Sequence, residues 1–177
     1  AMVKKDYGPN EIYEVLSAIE VLVVRVESVT EIINLIRTNI IADDVFLNNF
    51  SSFKTTNKLR LRYILKKIND SYSKEIAVLN DNNKIHLEHI MPIKADGWDI
   101  IKEEHEEYLW KIGNLTLLGS EYNKKSTNKI FNDKKDIYEY SEVQLTRKLL
   151  DYDEWNIDVI KERQVELAEL AVNIWKV

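Results

Sequence analysis

Residues 84–92 read KIHLEHIMP, and residues 112–128 read IGNLTLLGSEYNKKSTN. The first stretch alternates polar and apolar side chains over 84–90, the two-residue period of a half-buried strand. Pro92 has no backbone N–H to offer a ladder, so the strand ends there. In the second stretch, Leu115 to Leu118 form a short apolar run bounded by Gly113 and Gly119, and a second strand is predicted. The polar residues 123–128 predict a turn or a short helix. The order is therefore a strand ending in acid–His, a strand led by Asn114, and a polar segment opened by Asn123.

The flanks read as helix. Ile12, Val15, Leu16, Ile19, Leu22, Val23 and Val26 follow Asn10 at helical spacing and make one broad apolar face. A second helix starts at Thr30, with Ile32, Ile33, Leu35 and Ile36 as core residues. A short third covers 43–50. A fourth follows Asn57 and turns Leu61, Ile64, Leu65 and Ile68 to one side. Residues 76–79 form an apolar run of strand or helix, and NDNN at 80–83 is a turn. A helix is predicted over 103–112, with Tyr108, Leu109 and Ile112 inward and Gly113 as its C-cap. Three more follow over 132–140, 142–150 and 157–176. The fold class is mostly α, with a small two-stranded insertion. The expected division is a helical subdomain at 10–70, a core at 84–130 and C-terminal helices at 131–177. The chain is read as a single domain or as a C-terminal fragment of a larger enzyme, and Ala1 before Met2 is taken as a cloning remnant.

Composition narrows the function classes. The chain has 177 residues, 45% hydrophobic and 31% charged, which fits a globular protein and excludes an unfolded tail. Cys is absent, so there is no disulfide, thiolate metal site or Cys nucleophile. Gly and Pro number only 4 and 2, too few for the frequent turns of a β-sandwich. No apolar run approaches the roughly 18 residues of a membrane span, so a cytoplasmic protein is expected. There is no Gly-rich phosphate loop, hence no nucleotide binding by this chain. The net charge of -5 weighs against nucleic acid, but the acids gather at 103–107 and 151–154. Lys124, Lys125, Lys129, Lys134 and Lys135 crowd the segment after Asn123, with only Asp133 opposing. A cleft responds to its own lining rather than to the total.

Glu88-His89-Ile90 with Pro92, Gly113-Asn114-Leu115 and Asn123, followed by Asn128, Phe131 and Lys134, resemble the ββα-metal core of HNH, or His-Me finger, nucleases. The resemblance is closest to the HNH domain at the C-terminal end of GmrSD-type modification-dependent restriction enzymes. It extends to the helical flanks, at residues 59–65 and at Trp155, Ile160, Arg163 and Trp175, and so covers most of the chain. The resemblance implies a DNA endonuclease in which His89 and Asn114 are catalytic, Asn114 by holding the loop and the His89 ring. It implies that Glu88 and Asn123 bind Mg²⁺ (or Mn²⁺). It also implies an N-terminal nucleotide-hydrolysing domain elsewhere in the full protein, sensing modified or invading DNA.

The chemistry agrees with those assignments. Phosphodiester hydrolysis needs an activated water and charge stabilisation on the phosphoryl group. A neutral His, with an unperturbed pKa of about 6.5, can take the water's proton. Mg²⁺ prefers a few hard protein oxygens and keeps water for the rest. On a strand, however, Glu88 and His89 point to opposite faces. They can share one site only if the strand ends and bends there. Many HNH motifs carry Asp or His in place of Glu88, which leaves the choice of metal open. Residues 93–112 are a longer insertion than in the smallest members, and a helical lobe over the site is expected.

Bland readings stand beside these. A lone His is more often a core or surface residue; the family order outweighs that for His89. His86 is either a supporting group or an exposed strand residue, and His105 is read as a solvated helix face. Asn128 either caps the next helix, the favoured reading, or binds phosphate. Trp98, Trp110, Trp155 and Trp175 are read as core anchors. The basic run at 54–67 is a solubilising face, with Arg60 or Arg62 able to pair with acids of the insertion. Lys124, Lys125 and Lys129 are expected to touch DNA phosphates. The competing function class is a degenerate helical module that docks DNA or a protein. A nuclease acting on RNA would use the same residues.

Overall fold

The computed structural model describes residues 29–38, 40–72 and 84–176. The helix expected after Asn10, the apolar run at 76–79 and the turn at 80–83 lie outside them. In chain order the described elements are helices α1 (Val29–Thr38), α2 (Asp43–Ser51) and α3 (Lys58–Ser71), and strand β1 (Ile85–His89). Then come α4 (Lys102–Tyr108), a 3-10 turn (Ile112–Asn114), β2 (Leu115–Gly119), α5 (Ser120–Ser126), α6 (Phe131–Tyr138), α7 (Gln144–Arg147) with a 3-10 extension (Lys148–Asp151), and α8 (Ile157–Ile174). The fold is mostly α with one small antiparallel sheet, as the sequence predicts.

Local chemistry fixes the helix starts. The Asn57 side chain accepts from Arg60 N at 3.1 Å, and that of Asn156 accepts from Asp158 N and Val159 N at 3.0 Å each. Each satisfies an N–H that the first turn leaves without a partner. Leu61, Ile64, Leu65 and Ile68 of α3 are all buried, each stabilising the fold by roughly 1.5–3 kcal/mol.

The hairpin is the partition of the molecule. Its register pairs Leu87 with Leu117, Glu88 with Thr116 and His89 with Leu115. Residues directly opposite share a face, and the faces alternate along each strand. Leu115 and Leu117, with Ile85 and Leu87, belong to one core with Phe50, Phe53, Leu61, Ile64, Leu65 and Ile68. Leu118 belongs to a second core with Ile90, Met91, Phe131, Tyr138, Leu149, Trp155 and Ile160. The strands are therefore covered on both sides, where the alternation alone predicts a half-buried strand. Helix α8 packs on α2, on α3 and on the 3-10 turn, reaching across from the C-terminal part of the chain.

Several local expectations change. The insertion is not a helical lobe: residues 93–101 are irregular, and only the short α4 follows. Gly113 is not a C-cap but a close-approach residue in the 3-10 turn. A Cβ there would lie 2.3 Å from the Ile160 carbonyl oxygen. Asn128 does not cap α6, whose N-cap is Ile130. It adopts the left-handed conformation (φ 59°) that Asn tolerates better than most residues. The His105 ring is not solvated: its Nε2 lies 2.8 Å from the Pro92 carbonyl oxygen, because α4 folds back on the chain leaving β1. Trp155 is buried in the second core, and Trp98, Trp110 and Trp175 pack partly buried against the cores, in keeping with an anchoring role.

Candidate active site

The end of β1 is held by Asn114. The ladder continues one step past the strand, with Ile90 N donating to the Asn114 carbonyl at 3.0 Å. The side chain then takes over. Asn114 Oδ1 accepts from Met91 N (2.8 Å) and Trp155 Nε1 (3.1 Å), while Nδ2 donates to the carbonyls of Met91 (3.0 Å) and Leu109 (3.2 Å). Both donors and both acceptor positions of the amide are used, and the residue has no exposed surface. The chain just after His89 is thus held by both the backbone and the side chain of Asn114.

Asn114 is fixed in turn from α8. Arg163 Nη1 donates to the carbonyls of Gly113 (2.6 Å) and Leu115 (3.0 Å). Gln164 Oε1 accepts from Gly113 N at 2.7 Å, and its Nε2 donates to the Phe50 carbonyl at 2.8 Å. The bare Cα of Gly113 lets the turn lie against α8 closely enough for these bonds.

Glu88 lies on the face of the second core and is only 5% exposed. Its Oε1 accepts from Lys134 Nζ at 2.7 Å and from Tyr138 Oη at 3.2 Å. Its Oε2 accepts from Asn123 Nδ2 at 2.8 Å. The same Lys134 Nζ donates to the His89 carbonyl at 2.7 Å, and the lysine is 1% exposed. Burial lowers the Lys134 pKa, and the Glu88 charge opposes that shift. Burial, then the charge and bond of Glu88, push the Tyr138 phenol well above its ordinary value. Glu88 and Asn123 are therefore brought together by β1 and α5, as expected for partners in one site.

His89 is not brought to them. The ladder still pairs His89 with Leu115, so the ring lies on the other face and packs edge-on against Trp110, with centroids 4.6 Å apart and planes at 87°. Burial, followed by the charge of Lys134, lowers its pKa to about 4, so the ring is neutral at neutral pH. Its Nε2 is buried without a hydrogen-bond partner. His86 is partly buried on the Glu88 face.

Lys124, Lys125 and Lys129 are exposed on α5 and the turn after it. Lys124 pairs with Glu121 at 3.6 Å, and the Lys125 ammonium lies 5.9 Å from the Tyr122 ring centre. Two neighbours in the same basic run are committed elsewhere: Lys134 to Glu88, and Lys135 to the Tyr152 carbonyl at 2.7 Å. In the first basic run, Lys54 pairs with Glu107 of α4 at 2.6 Å.

The donor set fits a magnesium-like ion. Among the described residues no group of three or more His, Cys, Asp or Glu side chains comes together, so a cage made by protein alone is absent there. Glu88 Oε2 and the Asn123 amide end are 2.8 Å apart. Adjacent oxygens of a magnesium octahedron are about 2.9 Å apart. Turned over without moving the backbone, the Asn123 amide would present its oxygen beside Oε2, and the two would hold such an ion, which takes water for the rest.

The bonds of Lys134 and Tyr138 to Glu88 are not among the sequence expectations. Their signal is present: Phe131, Lys134 and Tyr138 share one helical face, and a lysine on a core-facing stripe requires a buried acid.

A family model described as GmrSD restriction endonucleases, C-terminal domain, matches residues 40–170. No curated protein matches the chain.

Proposed function

The chain belongs to the family of GmrSD restriction endonuclease C-terminal domains, and on that premise we propose that it is a metal-dependent HNH endonuclease hydrolysing DNA phosphodiester bonds. The observation that carries this reading is the buried Glu88 carboxylate with the Asn123 amide 2.8 Å from its Oε2, beside a strand end locked by Asn114. In the family name lies the further reading that the chain serves a modification-dependent restriction or phage-defence enzyme. An N-terminal nucleotide-hydrolysing sensor domain would then deliver the DNA.

In this reading the scissile phosphate would lie across the end of β1, between the Glu88 and His89 faces. Mg²⁺ or Mn²⁺ held by Glu88 Oε2 and the Asn123 amide oxygen would polarise the phosphoryl oxygens and stabilise the leaving oxygen. His89 takes the proton of the attacking water. Its depressed pKa keeps the ring unprotonated across the neutral range, at the cost of a weaker base than a free imidazole. Asn114 touches no reacting atom and fixes the backbone that carries His89. Lys124, Lys125 and Lys129 contact backbone phosphates, which position a duplex without reading its sequence.

A second reading, a degenerate docking module, is favoured by one observation: the Glu88 carboxylate is already paired with Lys134, on the strand face opposite His89. Cleavage assays with Mg²⁺ or Mn²⁺ separate the two. A folded His89→Ala protein is expected to bind DNA and lose cleavage. Undiminished cleavage by that variant overturns the assignment of His89. Absence of both metal binding and cleavage in the parent at millimolar metal selects the docking module. Parallel duplex DNA and RNA substrates decide the nucleic acid.

A further inference from the structure

We propose that Lys134 sets the metal affinity of this site, so that a divalent cation binds the free protein weakly and is held firmly only together with a DNA phosphate. This rests on reading Glu88 and Asn123 as the ligands. One oxygen of Glu88 is already taken: Oε1 receives both the Lys134 ammonium and the Tyr138 hydroxyl. Oε2 alone is left towards Asn123, which makes Glu88 a one-oxygen ligand.

The charges give the consequence. Glu88 contributes one negative charge, Lys134 one positive, and Asn123 none, so the cradle is neutral before a cation enters. Among the described residues no cluster of further acids supplements it. A cation on Oε2 shares its only carboxylate with an ammonium, and in a buried site that repulsion is weakly screened. The ammonium cannot swing aside. It is tied a second time, to the His89 carbonyl at 2.7 Å, and the lysine is buried on α6 with Phe131 and Tyr138. A phosphate of the bound DNA brings the missing negative charge and further hard oxygens, the usual complement of a magnesium ion with few protein ligands. Lys134 is thus a positioning residue whose charge makes the metal and DNA bind interdependently.

The test follows Mn²⁺ by electron paramagnetic resonance in a His89→Ala background, which keeps the DNA whole, with and without a short duplex at low salt. The parent should bind Mn²⁺ in the millimolar range alone and at least tenfold more tightly with duplex. Adding Lys134→Met should tighten binding to the free protein at least tenfold and shrink the gain from DNA. Unchanged or weaker binding by a folded Lys134→Met protein overturns the proposal. Adding Glu88→Gln should abolish the protein-dependent part in both states. If it does not, the ligand assignment fails rather than the role of Lys134. Removing Lys134 leaves a buried carboxylate without its counter-charge. Should that variant not fold, Lys134→Gln retains a donor, and the parent alone still decides: equal Mn²⁺ affinity with and without duplex overturns the proposal.

Discussion

Replacing Asn114 by Ala removes a side chain that makes four hydrogen bonds inside the protein. Two N–H donors, on Met91 and Trp155, lose their acceptor, and each buried donor left without a partner costs about 1–3 kcal/mol. The carbonyls of Met91 and Leu109 lose a donor as well. The sum is centred on about 4 kcal/mol, a large share of the 5–15 kcal/mol that typically holds a domain folded. With a urea dependence of about 2–3 kcal/mol per molar, the unfolding midpoint should fall by roughly 1.5 M with little change in slope. Asn114→Asp keeps the acceptor but buries a charge facing two carbonyls, and should be no milder. Equilibrium urea unfolding followed by tryptophan fluorescence measures both. A loss of less than about 1 kcal/mol for Asn114→Ala would show that the amide does not hold the strand end.

Other outcomes follow from the same geometry. His89 has a pKa of about 4 in the fold against about 6.5 in the unfolded chain. As pH falls the unfolded chain binds its proton first, so this contribution to stability is complete above about pH 6.5 and is lost between there and pH 4. The wild type should lose about 3 kcal/mol more than His89→Gln between pH 7 and pH 4, read from urea curves at each pH. Gly113→Ala would place a Cβ 2.3 Å from the Ile160 carbonyl oxygen and 3.0 Å from Gln164 N. It should cost about 1–3 kcal/mol in thermal or urea unfolding, with cleavage falling because Asn114 moves with the turn. Changing Lys124, Lys125 and Lys129 together to Ala should leave the melting temperature nearly unchanged. If all three contact phosphates, it should also flatten the slope of log affinity against log salt for duplex DNA by about 2–3.

The helices were legible because their apolar spacing is regular: Leu61, Ile64, Leu65 and Ile68 are buried together, and Asn57 caps as its position implies. The hairpin was legible from its alternation and from the glycines around β2. The side-chain directions at its end were not. Whether Glu88 and His89 share a face depends on where β1 stops, and Asn114 prolongs the ladder past His89 to Ile90, which strand period cannot reveal. Lys134 stood out in the resemblance and in the basic run beside Asn123, but its pairing with Glu88 was not legible because that partner lies 46 residues upstream. The inward position of its helical face was visible, but the acid that justified it was not. Gly113 sat where a C-cap belongs, and only the approach of α8 gives it another reason to be Gly.

The clamp on the turn before β2 also bears on the order of events during synthesis. Gln164 joins Gly113 to Phe50, spanning separations of 51 and 114 residues along the chain. Arg163 fastens the next carbonyls from the same helix turn. Both strands and Glu88, His89, Asn114 and Asn123 are synthesised before either residue exists. At about 5–20 residues per second, roughly 2–10 seconds separate Asn114 from Arg163. During that interval the strand end lacks the support that fixes Asn114. The proposed active centre, assembled in this way, stays unfinished on the nascent chain, and truncated products of interrupted translation should be inert.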